Sequence, residues 1–190
     1  MPDASNYRFL NDRLFNEQLK TWVRQGGKLI ALQDAVAQLA QADWGLHNKA
    51  DSSEPRRKND SSYAIVKAYQ NRVVERLNDY NSGTIYKVNL DNTHPLGYGY
   101  PNYYYTLKED NSVYEFIKEG GWNVGVLKKN SYISGFVGSK AQEKLKDGLV
   151  FGVQDIGRGR VVYLSDDVLF RSFWENGKLL FCNAVFMVGQ

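Results

Sequence analysis

The sequence predicts an α/β domain: one unit over residues 1–190, with a mainly parallel sheet flanked by helices. Its opening passes from a helical period through Gly26-Gly27 into the apolar run Lys28–Leu32, and then into a second helical period. Further on, short apolar runs such as Leu149–Gln154 and Val161–Leu164 have the length and composition of buried strands. With 190 residues, 43% hydrophobic and 24% charged, the chain is rich enough in apolar side chains to build a core and too rich for disorder.

The elements follow in order. Leu10, Leu14, Leu19, Trp22 and Val23 recur at helical spacing over Phe9–Gln25, and Gly26-Gly27 supplies the stop. Lys28–Leu32 reads as a buried strand, after which Asp34 is expected to cap a helix carrying Val36, Leu39 and Ala40. The segment 48–62 reads as a flexible internal loop. Its basic triplet Arg56-Arg57-Lys58 has acidic neighbours on both sides, which favours a solvated turn over a phosphate contact. Val66, Tyr69, Val73, Leu77 and Tyr80 set a helix over Tyr63–Tyr80, ended by Asn81-Ser82-Gly83, and Thr84–Leu90 alternates as a strand. Asp91–Pro101 is turn-rich, with two of the four prolines and two glycines. Trp122–Leu127 and Tyr132–Val137 read as short strands, and Ser139–Lys146 as a short helix. Ile156–Arg160 is a tight connection between Leu149–Gln154 and Val161–Leu164, and Trp174–Val188 is an apolar closing helix. A minor share of antiparallel strands is expected near the middle, and no internal repeat is present.

Composition excludes several classes. Twenty-four basic and 21 acidic residues leave a net charge of +3, too balanced for a nucleic-acid binder. No run approaches the ~20 apolar residues of a membrane span, and Met1–Asn16 lacks the apolar core of a signal peptide. One cysteine (Cys182) and two histidines (His47, His94) rule out a disulfide framework and argue against a zinc site in this chain. Aromatic residues are in surplus, with thirteen Tyr, nine Phe and four Trp.

The candidate site residues each have two readings. His94 could be a base or ligand with Asp91 orienting its ring, or it could fill a polar gap in a turn built by Asp91 and Asn92; the turn is favoured because no second His is nearby and no Glu stands in a zinc-ligand pattern. Asp166, just past a buried strand, could line a crevice with Arg171 and Trp174, or Asp166 or Asp167 could cap a helix with Arg171 as its partner. Tyr98, Tyr100, Tyr103, Tyr104 and Tyr105 could stack on a sugar or a partner chain, cover a small core, or form an interdomain surface. Cys182 reads as a buried, inert thiol and His47 as a surface histidine. Gly157-Arg158-Gly159-Arg160 precedes a strand, so it reads as a hairpin-like turn and not as a phosphate cradle.

Three blocks carry a family resemblance. They are Gly26-Gly27-Lys28-Leu29-Ile30-Ala31-Leu32; Asp91-x-Thr93-His94-Pro95-Leu96-x-Tyr98-Gly99; and Gly157-x-Gly159-Arg160-Val161-Val162-Tyr163-Leu164-x-Asp166, continuing through Phe170-Arg171-x-x-Trp174 and Lys178-Leu179-Leu180-x-x-Asn183-Ala184-x-Phe186. Together they resemble the C-terminal domain of bacterial zinc carboxypeptidases of the carboxypeptidase A-like superfamily. Such domains are similar in fold to class I glutamine amidotransferases, which implies a flavodoxin-like sheet between helices.

An active amidotransferase places a cysteine on the sharp turn after the strand matched by Lys28–Leu32. Here that turn reads Leu32-Gln33-Asp34-Ala35, and Gln154-Asp155-Ile156 stands near the place of the His-Pro-Glu element. The peptidase's zinc motif, His-x-x-Glu with a later His, is not matched either: Gly97 follows His94 where the glutamate would stand. The resemblance therefore implies a non-catalytic accessory domain, a fragment of a longer secreted protein. It would pack on, or position substrate for, an upstream peptidase domain of the same polypeptide. No cofactor is expected in this chain; zinc would belong to the parent's peptidase domain, and a periplasmic or extracellular place to the parent protein. The alternative is an aromatic-rich carbohydrate- or peptide-binding module without enzymatic activity.

Overall fold

The computed structural model describes residues 1–4, 6–49 and 68–189. The strands are β1 (Lys28–Leu32), β2 (Thr84–Leu90), β3 (Tyr103–Lys108), β4 (Gly121–Leu127), β5 (Tyr132–Ser134), β6 (Gly148–Ile156) and β7 (Gly159–Leu164). The helices are α1 (Arg13–Arg24), α2 (Asp34–Gln41), α3 (Arg72–Asn78), α4 (Ser139–Lys144) and α5 (Glu175–Phe186). One sheet joins the strands in the order β1-β7-β6-β4-β2-β3, and β5 pairs with β2 beside β4. The fold is mixed α/β.

The expectation of a mainly parallel sheet fails. Only β1 and β7 run parallel, with Lys28 opposite Arg160 and Leu32 opposite Leu164. The pairs β6–β7, β4–β6, β2–β4, β2–β3 and β2–β5 are all antiparallel. The reason is chain length. A parallel return needs a crossover of about a dozen residues, whereas β6 and β7 are separated only by Gly157 and Arg158. Gly157 takes φ 63°, the left-handed geometry of a tight hairpin. β3 is an element the sequence pattern did not reveal.

Local chemistry sets the boundaries. The first helix does not start at Phe9: Arg8–Asn11 is a separate 3-10 turn, and Asp12 opens α1 by accepting hydrogen bonds from the Leu14 and Phe15 amides at 2.8 and 3.4 Å. Asp34 is the first residue of α2 and not its cap. The cap position is Gln33, whose side chain makes no capping bond. α3 begins at Arg72 after a 3-10 turn over Tyr69–Asn71; the Tyr63–Lys67 part of the expected helix, and the expected loop from residue 50, lie outside the described residues. No helix among the described residues is long and apolar enough to cross a membrane.

Two apolar cores lie on opposite faces of the sheet. Val23, Val36 and Leu39 from α1 and α2 meet Leu29, Ala31, Val161 and Tyr163 on one face. Leu180 and Ala184 from α5 meet Val88, Tyr104, Phe151, Val162 and Leu164 on the other. Because successive strand residues point to opposite faces, β2 and β3 send Tyr86, Val88, Leu90 and Tyr104 into the α5 core. Lys87, Asn89, Tyr103 and Tyr105 then stand on the other face. No β2 or β3 residue belongs to the α1–α2 core, so that face of the wing is left open.

Candidate functional site

The β1–α2 junction is the sharpest feature of the backbone. Gln33 adopts φ 45° and ψ −116°, a conformation that side chains other than glycine rarely take. Its amide donates to the Leu164 carbonyl of β7 at 2.9 Å, which closes the turn at the carboxyl end of the parallel pair. In open α/β sheets ligands bind at such ends. The carboxylate of Asp3 accepts from the Asp34 amide at 3.2 Å, and Gln38 of α2 donates to the Ala4 carbonyl at 2.7 Å, so the N-terminal segment lies against the start of α2.

A buried ion network lies beyond this turn. Lys108, at the end of β3 and fully buried, donates to Asp166 at 2.6 Å and to the Ser112 carbonyl at 2.6 Å, with Asp110 at 3.3 Å. The Thr106 hydroxyl donates to the second Asp166 oxygen at 2.6 Å. Burial alone would pull the lysine down, but Asp166 and Asp110 outweigh it and hold its pKa above the ordinary value. Asp110, also drawn up by burial, is held below the usual carboxylate range by Lys108 and the Ser112 hydrogen bonds. The buried Tyr114 hydroxyl has no hydrogen-bond partner, and burial together with the charges of Asp110, Asp166 and Asp34 pushes its pKa up. Asp166 is thus engaged by a cation and a hydroxyl, not free to act as a base. Among the described residues no group of three or more His, Cys, Asp or Glu could hold a metal ion.

The expected Asp166–Arg171 pair does not form. Arg171 is exposed at φ 47°, with its guanidinium 5.0 Å from the ring centroid of Phe170. Trp174 donates from Nε1 to the Tyr104 hydroxyl at 3.2 Å. Cys182 is exposed, not buried, because α5 turns Leu180, Asn183 and Ala184 to the core and leaves Cys182 on its outer side.

His94 caps the 3-10 turn Pro95–Gly97, its Nδ1 accepting from the Leu96 amide at 3.1 Å. Burial lowers its pKa, with Asp91 opposing. Asp91 accepts from the Thr93 amide and hydroxyl at 3.0 and 2.6 Å, both on one oxygen, and among the described residues the imidazole donates no hydrogen bond to it. The turn is pinned to α5 by the Asn183 carboxamide, which donates to the Leu96 and Tyr98 carbonyls at 3.1 and 2.7 Å.

The tyrosine cluster divides. Tyr104 is 1% exposed and belongs to the core, which corrects its place among surface residues. Tyr100 donates to the Asn176 carbonyl, and burial pushes its hydroxyl up to about 12. Tyr98 is exposed beside the α5 end of the turn. Tyr103 and Tyr105 stand on the open face, edge to face with centroids 5.6 Å apart.

That face holds a concavity of about 250 Å³ lined by Lys87, Asn89, Asn102, Tyr103, Lys128, Asn130 and Ser131. The Lys87 ammonium lies 4.4 Å from the Tyr103 ring centroid. Apart from Tyr103, sequence reasoning missed these residues. The alternation of exposed Lys87 and Asn89 in β2 was a signal, but it gains meaning only when Asn89 is paired with Tyr103.

No family model matches the chain, and no curated protein matches it. Among solved structures it is similar to a ThuA-like protein from Bacteroides uniformis, at 12% identity and a TM-score of 0.47, over 91% of this chain. The chain spans 62% of the length of that structure.

Proposed function

We propose that this chain is a non-catalytic accessory domain of amidotransferase-like build, part of a longer secreted zinc carboxypeptidase, and that it works by binding: it packs on the upstream peptidase domain or positions substrate for it. The observation that carries this reading is Gln33. The sharp strand-to-helix turn is the place where this kind of fold exposes a nucleophile, and a carboxamide, which is not a nucleophile, occupies it.

The three sequence blocks that carry the resemblance also interlock. The first and third pair as β1 and β7. Lys28 of the first donates to the Val185 and Val188 carbonyls at the end of α5 at 2.5 and 2.8 Å, and Asn183 of the third holds the second block by Leu96 and Tyr98. A Cβ on Gly97 would collide with the Asp91 carbonyl and the Asn92 backbone. These residues act as scaffold, which is what a shared domain architecture requires. The zinc, in this reading, belongs to the parent's peptidase domain.

The test uses the isolated chain. After dialysis against zinc it should retain no stoichiometric metal, and it should release no residue from peptides with free C-termini; stoichiometric zinc or turnover overturns the proposal. The reading frame upstream of residue 1 should encode a His-x-x-Glu pair with a later His, and a frame without them removes the parent enzyme.

A further inference from the structure

Beyond that reading, and resting on its view of the chain as a binding domain, we infer that the open face of β2 and β3 is a saccharide site that takes a sugar residue bearing a carboxylate. The concavity there is about 250 Å³, below the ~300–1,000 Å³ of drug-sized sites and suited to one sugar ring. Its polar groups are available. Among the described residues, the carboxamides of Asn89, Asn102 and Asn130 and the ammonium of Lys128 have no hydrogen-bond or ion-pair partner. Carboxamides that hold the scaffold are engaged by contrast: Asn123 bonds both the amide and the carbonyl of Ile117, and Asn183 bonds Leu96 and Tyr98.

Charge and shape narrow the ligand. Lys87 and Lys128 line the concavity and no carboxylate does, so an anion is favoured. Each carboxamide both donates and accepts, as a sugar hydroxyl does. Tyr103 supplies an aromatic wall, and the Lys87 ammonium 4.4 Å from its centroid lets ring and charge meet the same ligand residue. The far wall is preorganised: the Ser131 carbonyl accepts from the Lys87 amide at 2.7 Å, and its hydroxyl accepts from the Lys128 amide at 2.8 Å. An extended peptide would instead seek the free edge of β3. That edge is not part of the concavity, and Asn176 already donates to the Tyr105 carbonyl there at 3.4 Å.

The experiment is an NMR titration of the isolated chain with a panel of galacturonate and glucuronate disaccharides and sialyllactose. Their neutral counterparts and the peptide acetyl-Gly-Gly are run in parallel. At least one acidic sugar should shift the amide signals of Lys87, Asn89, Tyr103 and Lys128–Ser131, and bind at least tenfold tighter than its neutral counterpart. Lys128→Met should weaken the acidic sugar at least fivefold more than the neutral one, and Tyr103→Ala should weaken both to a similar degree, with melting temperatures showing that both variants fold. No response to any sugar of the panel, a response to the peptide alone, or equal affinity for acidic and neutral sugars overturns the inference. None of these results touches the zinc and hydrolysis test of the accessory-domain reading, so the two fail separately.

Discussion

The two ends of β3 behave as different materials. At its carboxyl end Lys108 is fully buried and bound to Asp166, Ser112 and Asp110. At its amino end Tyr103 and Tyr105 face solvent beside carboxamides without a hydrogen-bond partner among the described residues. The same contrast separates the β1–β7–β6 half of the sheet, covered by α1 and α2 on one side and α5 on the other, from the β2–β3 wing, covered on one side only. Where both faces are covered, polar side chains such as Lys28 and Asn183 are committed to neighbouring carbonyls, because an unpaired buried group is costly. Where one face is open, polar groups are left to an outside partner. On the proposed reading, function by binding belongs on the wing, and the strained turn at Gln33 belongs to the covered half.

The largest effect should come from Lys108→Met. Removing the cation leaves Asp166 buried and uncompensated, and unfolding in urea should show a loss of ~3–5 kcal/mol. The double variant Lys108→Met with Asp166→Leu should recover much of it, since the carboxylate that remains, Asp110, is partly exposed and still accepts from the Ser112 amide. A near-neutral single variant would mean that water reaches the network. The adjacent pair Tyr104→Ala and Tyr103→Ala separates the two faces more directly. Tyr104 is 1% exposed and packs edge to face on Phe151 with centroids 5.4 Å apart. Its truncation should cost ~3–5 kcal/mol, and that of Tyr103 about 1 kcal/mol or less. Equal losses would show that the open face is covered in solution.

How much of this was legible depends on whether the signal is local. Helix stops, the strands Lys28–Leu32 and Thr84–Leu90, and the His94 turn rest on neighbouring residues, and pattern reveals them. β3 hides because Tyr103-Tyr104-Tyr105 looks the same at every position, so a period of two has nothing to alternate. The partner of Asp166 hides for another reason: Lys108 is 58 residues away, while Arg171 is near in sequence and tempting. The β6–β7 hairpin was legible in the short Gly157-Arg158 connection, whereas the antiparallel pairings β4–β6 and β2–β4 join strands distant in sequence and leave no local mark. Cys182 shows the limit of a helix whose apolar residues do not gather on one face, where sequence does not say which side meets the core. The concavity on the wing needs the register of Asn89 with Tyr103 and the turn at Lys128–Ser131 together, and neither alone marks a site.

The smallest predicted effect concerns the turn that joins β2 to β3 and ties the wing to α5. His94 holds the Leu96 amide with a neutral ring nitrogen, so protonation removes the acceptor, and burial sets the folded pKa below the ordinary 6.5. The unfolded chain then binds this proton more readily than the folded one. Stability from His94 is therefore complete above pH 6.5 and is lost as the pH falls through the folded value. His94→Asn keeps an oxygen acceptor for the same amide and does not titrate. Between pH 7 and pH 5 the melting temperature of the unaltered protein should fall by a few degrees more than that of His94→Asn. Parallel curves would mean that the wing is held by Asn183 and the β2–β3 ladder alone, and that the imidazole contributes shape without charge.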